Sequence, residues 1–419
     1  MPLPLASRRI LILVENLPVP FDRRVWQEAR ALRDAGAEVT VICPTGKGWD
    51  AEHEVIEGIS VYRHPLPIEG EGAVGYAREY AAALWHQTRL AWRVKRREGF
   101  DTIQACNPPD LLFLVALPFK WLFGTRFVFD HHDINPELFE AKFGRRGMLW
   151  RILVLMERLT FRAADVVIST NESYRALAHG RGGKDPEDVF VVRSAPDLSR
   201  VSAPAPDPNW RRGRQHAVGY VGIMGEQEGL DLLLHSMAKV IRSHDVQLVL
   251  MGDGPARPGL ERLADTLGLS DHVTFTGLVN QEQLFAVLSS VDLGVGPDRV
   301  MPMNDKSTMN KILEYMAAGK PMVQFEVTEG RVSAGPASLY AAANDTEDFA
   351  AKIVELLDDP RRAAEMGRLG RQRLEEKFDW TVQVPNLIAA YRRAAAVKPQ
   401  VRPARANALS RASASAKRP

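Results

Sequence analysis

Ser202-Ala203-Pro204-Ala205-Pro206-Asp207-Pro208 is followed at Arg211-Arg212-Gly213-Arg214-Gln215 by a basic run, and Ala217-Val218-Gly219-Tyr220-Val221 then opens a new apolar segment. Pro204, Pro206 and Pro208 lack backbone donors and disfavour helix at the residues before them. The stretch therefore reads as a linker, 204–215. On its amino side, apolar runs at 10–14, 38–42, 59–62, 102–105, 126–129, 165–169 and 189–192 read as strands, with helices expected over 22–35 and 76–97. On its carboxyl side, strands are expected at 217–221, 246–251, 272–276, 293–295 and 321–325, with helices over 229–243, 258–267, 281–289 and 307–318. Short apolar strands alternating with amphipathic helices are the pattern of parallel βαβ units. Two such halves predict an α/β protein of two Rossmann-like domains facing each other across a cleft. A ligand would then lie at the carboxyl ends of the strands. The expected boundaries are 1–203 and 216–380, then a helix at 381–396 packing back on the first domain, then a basic tail at 397–419.

The chain has 419 residues, suiting two or three domains of about 150 residues. With 45% hydrophobic and 25% charged residues, its composition excludes collagen, coiled coil and wholesale disorder. The net charge of +2 shows no nucleic-acid footprint. The tail carries Lys398, Arg402, Arg405, Arg411, Lys417 and Arg418 without an acid, and without it the rest is slightly acidic. Its Ala, Ser, Pro and Arg content buries too little apolar surface to order it. Cys43 and Cys106 make neither a disulfide framework nor a zinc site, which suits a reducing cytoplasm. Glu15 ends the first apolar run too early for a signal-peptide core. The longest oily stretch, 111–124, is broken by Pro118 and Lys120 and is shorter than the roughly 20 residues that span a bilayer.

The densest chemistry lies in Asn304-Asp305-Lys306-Ser307-Thr308-Met309-Asn310-Lys311-Ile312-Leu313-Glu314-Tyr315-Met316-Ala317-Ala318-Gly319-Lys320-Pro321. Ser307 and Thr308 are good N-cap residues, and Gly319 and Pro321 stop the helix. Lys306, Ser307 and Thr308 would then sit at a helix N-terminus, where free N–H groups suit a phosphate. A capped surface helix with an ion pair fits the same spacing.

From Leu313 to Val323 the sequence resembles the family 4 glycosyltransferases, which have the GT-B architecture. The resemblance runs in order through Asp130-His131-His132-Asp133, Glu157-Arg158, Met251-Gly252-Asp253-Gly254-Pro255, Val273-Thr274-Phe275-Thr276-Gly277 and Phe378-Asp379-Trp380. It implies transfer of a sugar from a nucleotide-diphosphate sugar, with retention of configuration and without metal or cofactor. It implies that Glu314 binds the ribose hydroxyls and that His132 contacts the donor sugar. Ser307, Thr308, Asn310, Gly254 and Gly277 fall on its nucleotide-binding segments. Two departures stand out. The first glutamate of the family's pair is here Lys306, and the diphosphate-binding Arg and Lys are here Ile223 and Glu228. Lys311 and Lys306, with Arg331 third, are the expected replacement cations. A silent nucleotide-sugar-binding scaffold, or an epimerase of the same fold, remains an alternative.

Three readings stay open. His132 could instead be a structural histidine bonded to a backbone carbonyl. Arg23 and Arg24 stand in the first turn after Asp22, where the helix dipole favours acids, which points to an anionic partner or to a plain solvated start. The helix at 76–97, with Trp85, Trp92 and its arginines, and Phe119-Lys120-Trp121-Leu122-Phe123 nearby suit either an anionic membrane surface or a core-facing stripe. The expected acceptor is a glycan or lipid-linked precursor of the cell envelope. No nucleic-acid partner is expected. The expected site is cytoplasmic, with peripheral contact at the inner face of the membrane.

Overall fold

A computed structural model describes residues 3–65, 72–201 and 204–397; the expected tail at 398–419, with Ser202 and Ala203 of the linker, lies outside them. The first domain carries a sheet of eight strands: β1 (Arg9–Leu13), β2 (Glu38–Pro44), β3 (His53–Ile56), β4 (Ile59–His64), β5 (Thr102–Cys106), β6 (Arg126–His131), β7 (Val166–Ser169) and β8 (Val189–Val191). Their order is β3-β4-β2-β1-β5-β6-β7-β8, parallel except for the β3–β4 hairpin. The second domain has β9 (His216–Val221), β10 (Val246–Met251), β11 (Val273–Gly277), β12 (Leu293–Gly296), β13 (Met322–Phe325) and β14 (Ser338–Ala341). Their order is β11-β10-β9-β12-β13-β14, and every pairing is parallel.

Alternation along each strand sends side chains to both faces, so both sheets are buried on both sides. Ile10 and Ile12 of β1 enter one cluster with Val25, Leu32 and Leu387, whereas Leu11 and Leu13 enter the other with Phe119, Phe127 and Phe161. In the second domain Val218 and Tyr220 pack with Leu233, Leu248 and Phe349, on the face opposite Ala217. Strand order reverses at β1 between β2 and β5, and at β9 between β10 and β12. A crevice at each switch point is a consequence of the topology.

The sequence pattern missed β3, β14 and the helices Phe113–Phe123, Asn135–Phe143, Met148–Ala163, Glu172–Gly180, Pro302–Lys306, Thr328–Ala334, Thr346–Asp358 and Pro360–Arg373. The oily stretch at 111–124 is the first of these, with Pro118 inside it. The described part of the linker is packed against the second domain. Asp207 N–H donates to Ser290 Oγ at 2.8 Å, and Arg211 pairs with Asp292 at 2.6 Å. The closing helix Trp380–Ala396 crosses to the first domain, where Leu387 and Ala390 are fully buried and Tyr391 donates to Gln104. Leu387→Ala should therefore cost about 2–5 kcal/mol of first-domain stability. A shift below 1 kcal/mol in urea unfolding (roughly the surface-substitution range) would show that this helix is only loosely docked.

Candidate active site

The first wall of the site is built on one buried arginine. Asp22 caps the helix Arg23–Asp34 by accepting from Val25 N–H at 3.1 Å. In the same first turn Arg24 is buried. Its Nη2 and Nε donate to Asp130 Oδ1 and Oδ2 at 2.7 and 3.0 Å. Its Nη1 reaches Val192 O and Ser194 Oγ, both at 3.0 Å. Glu28, one turn along, stands 3.0 Å from the same guanidinium. Burial opposes the charge on Arg24, but Asp130 and Glu28 outweigh it and hold the group cationic. Burial pushes the Glu28 carboxyl up to about 7, against the pull of Arg24.

Asp130, the last residue but one of β6, accepts from His132 Nδ1 at 3.0 Å. Burial works against a charged ring, yet Asp130 pushes the imidazole up to about 9. His132 is thus a carboxylate-supported cation rather than a ring bonded to a carbonyl. With Nδ1 engaged, Nε2 is the nitrogen left for a ligand.

The facing wall departs from the expected geometry. Ser307 and Thr308 are not N-caps, because the chain makes a short helix, Pro302–Lys306, and a separate helix, Asn310–Ala317, with Met309 at the cap position. Their hydroxyls serve the domain interface instead. Ser307 Oγ lies 3.1 Å from Tyr174 Oη, and Thr308 Oγ1 accepts from Asn171 Nδ2 at 2.9 Å and from Arg193 Nη1 at 3.3 Å. The first N–H groups at Asn310 have no intrahelical acceptor, as at any helix start.

Lys311 is buried, not a free cation. Its ammonium bonds Asp298 Oδ1 at 2.5 Å and Glu228 Oε2 at 2.8 Å, 4.9 Å from the centre of the Tyr220 ring. Burial and Glu228 push Asp298 up to about 7 against the attraction of Lys311. Lys311 thus neutralises Glu228 and Asp298 from the helix Asn310–Ala317.

Two adjoining cavities lie between these walls. One, of about 310 Å³, is lined by Arg24, His132, Glu228, Ser307, Thr308 and Asn310, among others. The other, of about 270 Å³, is lined by Arg23, Arg30, Arg200, Gln281, Phe285 and Glu314, and it shares Arg24, Ser194 and Asn310 with the first. Arg23 Nη1 spans the cleft to Glu314 Oε1 at 3.1 Å. Burial raises the Glu314 carboxyl while Arg23 lowers it, and the net direction is up.

Five expected residues line neither cavity: Lys311 and four others. Lys306 turns its ammonium onto Pro302 O at 3.1 Å, and exposed Arg331 pairs with Glu326 at 2.6 Å. Gly254 is a glycine for packing: a Cβ there would lie 2.6 Å from Met224 O. Gly277 ends β11 with φ +74, and its carbonyl accepts from Gly252 N–H at 2.9 Å. The pattern drew attention to Arg23 and Arg24 through their misplaced charge, but Arg30, Arg193, Arg200 and Tyr174 carried no local signal.

Lys311→Met should leave Glu228 and Asp298 unneutralised and cost about 3–5 kcal/mol in urea unfolding. Adding Asp298→Asn should recover part of that loss. Unchanged stability in the single variant would return Lys311 to the role of an accessible cation.

Residues 22–195 match the model of the Glycosyl transferase 4-like domain, and residues 215–359 match that of Glycosyl transferases group 1. A 2-deoxystreptamine glucosyltransferase of Streptomyces kanamyceticus is 25% identical over 379 residues, covering 85% of this chain and 94% of that protein. An MMP alpha-(1->4)-mannosyltransferase of Mycolicibacterium hassiacum is 25% identical over 88% of this chain and 93% of that protein. Among solved structures, the sucrose-phosphate synthase of Thermosynechococcus elongatus superposes with TM-score 0.72 at 19% identity, covering 92% of this chain and 98% of that one. The Anabaena HepE protein in complex with UDP and glucose does so with TM-score 0.71 at 17% identity, covering 92% and 99%. Matched in order across both facing domains, this chain belongs to the family 4 glycosyltransferases, hexosyltransferases of the GT-B fold.

Proposed function

We propose that the enzyme takes a hexosyl group from a nucleotide-diphosphate sugar and passes it, with retention of configuration, to a glycan or lipid-linked acceptor of cell-envelope or extracellular polysaccharide synthesis. It works in the cytoplasm, in peripheral contact with the membrane, and needs neither metal nor cofactor. The observation that carries this reading is the pair of cavities joined at Asn310, one holding Glu314 and the other holding His132. Glu314 faces the ribose with two acceptor oxygens, which suit two vicinal hydroxyls once Arg23 has moved aside. His132 and the N–H groups at Asn310 meet the donor sugar and diphosphate, with Ser307 and Thr308 shaping that pocket.

Positive charge for the leaving group comes in this reading from the His132 imidazolium and the helix start. Lys311 and Lys306 are withdrawn from that role, because Lys311 is neutralised by Glu228 and Asp298 and Lys306 is turned onto Pro302. Fixed donors aimed at developing charge are worth most in a cleft closed to water. The two curated relatives are named for glucosyl and mannosyl transfer, which favours transfer over epimerisation.

A thermal-shift screen with UDP-, GDP- and TDP-hexoses should single out one nucleotide, since a ligand of the folded state raises the melting temperature. Glu314→Gln should then weaken that donor by about 1.5–3 kcal/mol in calorimetry while leaving the fold intact. Unchanged affinity together with full activity would remove Glu314 from the donor site.

A further inference from the structure

On the first domain, the helices Gly72–Arg97, Phe113–Phe123, Met148–Ala163 and Asn135–Phe143 follow one another side by side across one surface. Ten of the seventeen large hydrophobic side chains that are exposed among the described residues lie on these four helices. Leu122 is 61% exposed, Met148 71% and Ile152 44%. The helix Phe113–Phe123 is apolar on its outer side as well as its inner one: Phe113, Val115 and Phe119 are buried, while Leu114, Leu122 and Phe123 face out. A helix that is apolar all round ordinarily has cover on every side. An exposed apolar patch of this extent marks a surface that meets another phase or molecule. Of the two tryptophans seven residues apart, Trp92 packs on Phe119 at 4.8 Å between ring centres, whereas Trp85 stands 68% exposed.

Arginines border the oily strip. Arg89, Arg93 and Arg96 line a groove of about 560 Å³ with Trp85 and Trp92, and Arg151, Arg158 and Arg162 lie exposed along the helix Met148–Ala163. Among the described residues no ion pair engages any of these six. Among the described residues, the acids beside the helix Met148–Ala163 are already taken: Glu140 pairs with Arg146, and Glu137 and Glu157 with Arg181.

We infer that this four-helix face is the surface by which the enzyme lies on an anionic bilayer, its apolar strip entering the acyl boundary while the arginines meet lipid phosphates. A second copy of the chain fits poorly, because a two-fold interface would bring unpaired arginines against arginines. Among the described residues no helix is long and apolar enough to cross a membrane, so contact through this face is in-plane. The face also reaches the cleft, since the helix Asn135–Phe143 touches the short helix Pro302–Lys306 beside the His132 cavity. In that respect the inference rests on the reading of a lipid-linked acceptor, which such a border would deliver from the bilayer.

Sedimentation with phosphatidylcholine vesicles, with and without phosphatidylglycerol, tests it. The full chain should partition at least tenfold more strongly onto the anionic vesicles, and high salt should weaken this. Leu122→Asp/Ile152→Asp should reduce anionic-vesicle binding at least tenfold, with melting temperature and nucleotide binding unchanged. Arg89→Gln/Arg93→Gln, a milder surface change, should reduce it less, and removal of residues 398–419 should leave most of it. Equal binding to both vesicles, loss of binding on tail removal alone, or a concentration-dependent dimer abolished by the Leu122/Ile152 variant would each overturn the proposal. Donor turnover is measured in parallel: if vesicle binding fails while turnover persists, only the surface assignment falls. If binding holds but only water-soluble acceptors are used, the acceptor reading falls and the surface stands.

Discussion

Arg24 joined to Asp130 is the constraint on which the rest of the site depends. One buried guanidinium binds the start of the helix Arg23–Asp34 to the end of β6 and to the chain leaving β8 at Val192 and Ser194. Three segments far apart in sequence thus share a single fork, whose planar geometry a lysine could not reproduce. Asp130 is held by it in the charged form, and its second oxygen is shared with His132 Nδ1. The folded His132 ring binds its proton more tightly than the ordinary value of 6.5. The stability this contributes is fully present below that value and is lost as pH rises through about 9.

The second domain is tied to this wall by polar contacts, and Ala195 enters the second domain's apolar cluster with Phe285 and Ile312. Asn171 reaches Lys306 O and Thr308, Ser173 donates to Glu329 at 2.7 Å, and Arg193 pairs with buried Glu329 at 3.3 Å. Across the same gap Arg23 pairs with Glu314, so in the proposed reading a donor at Glu314 has to part this ion pair. The closing helix Trp380–Ala396 adds an apolar anchor on the first domain and keeps the two bodies facing each other.

Most strands of the parallel sheets were readable because each is a short apolar run with a helix beside it. The hairpin strand β3, His53-Glu54-Val55-Ile56, was not, since it is an edge strand with little apolar alternation. Glu314 and His132 were found through resemblance, and both line the cleft. Lys311 was misread because its partners, Glu228 and Asp298, lie 83 and 13 residues away and meet it only in the fold. Ser307 and Thr308 suit an N-cap by type, but the short helix ending at Lys306 uses up that turn and delivers their hydroxyls to Tyr174 and Asn171. Local pattern could not anticipate a compensation made across domains.

The account turns on His132 entering the cleft as a cation. Ring ¹⁵N chemical shifts of His132, followed across pH in the ligand-free protein, test this directly. They should report an imidazolium that titrates near 9 in the native chain and moves toward the ordinary 6.5 when Asp130 is replaced by asparagine in a chain that still folds. A neutral ring already at about pH 7.5, in a correctly folded protein, would contradict it.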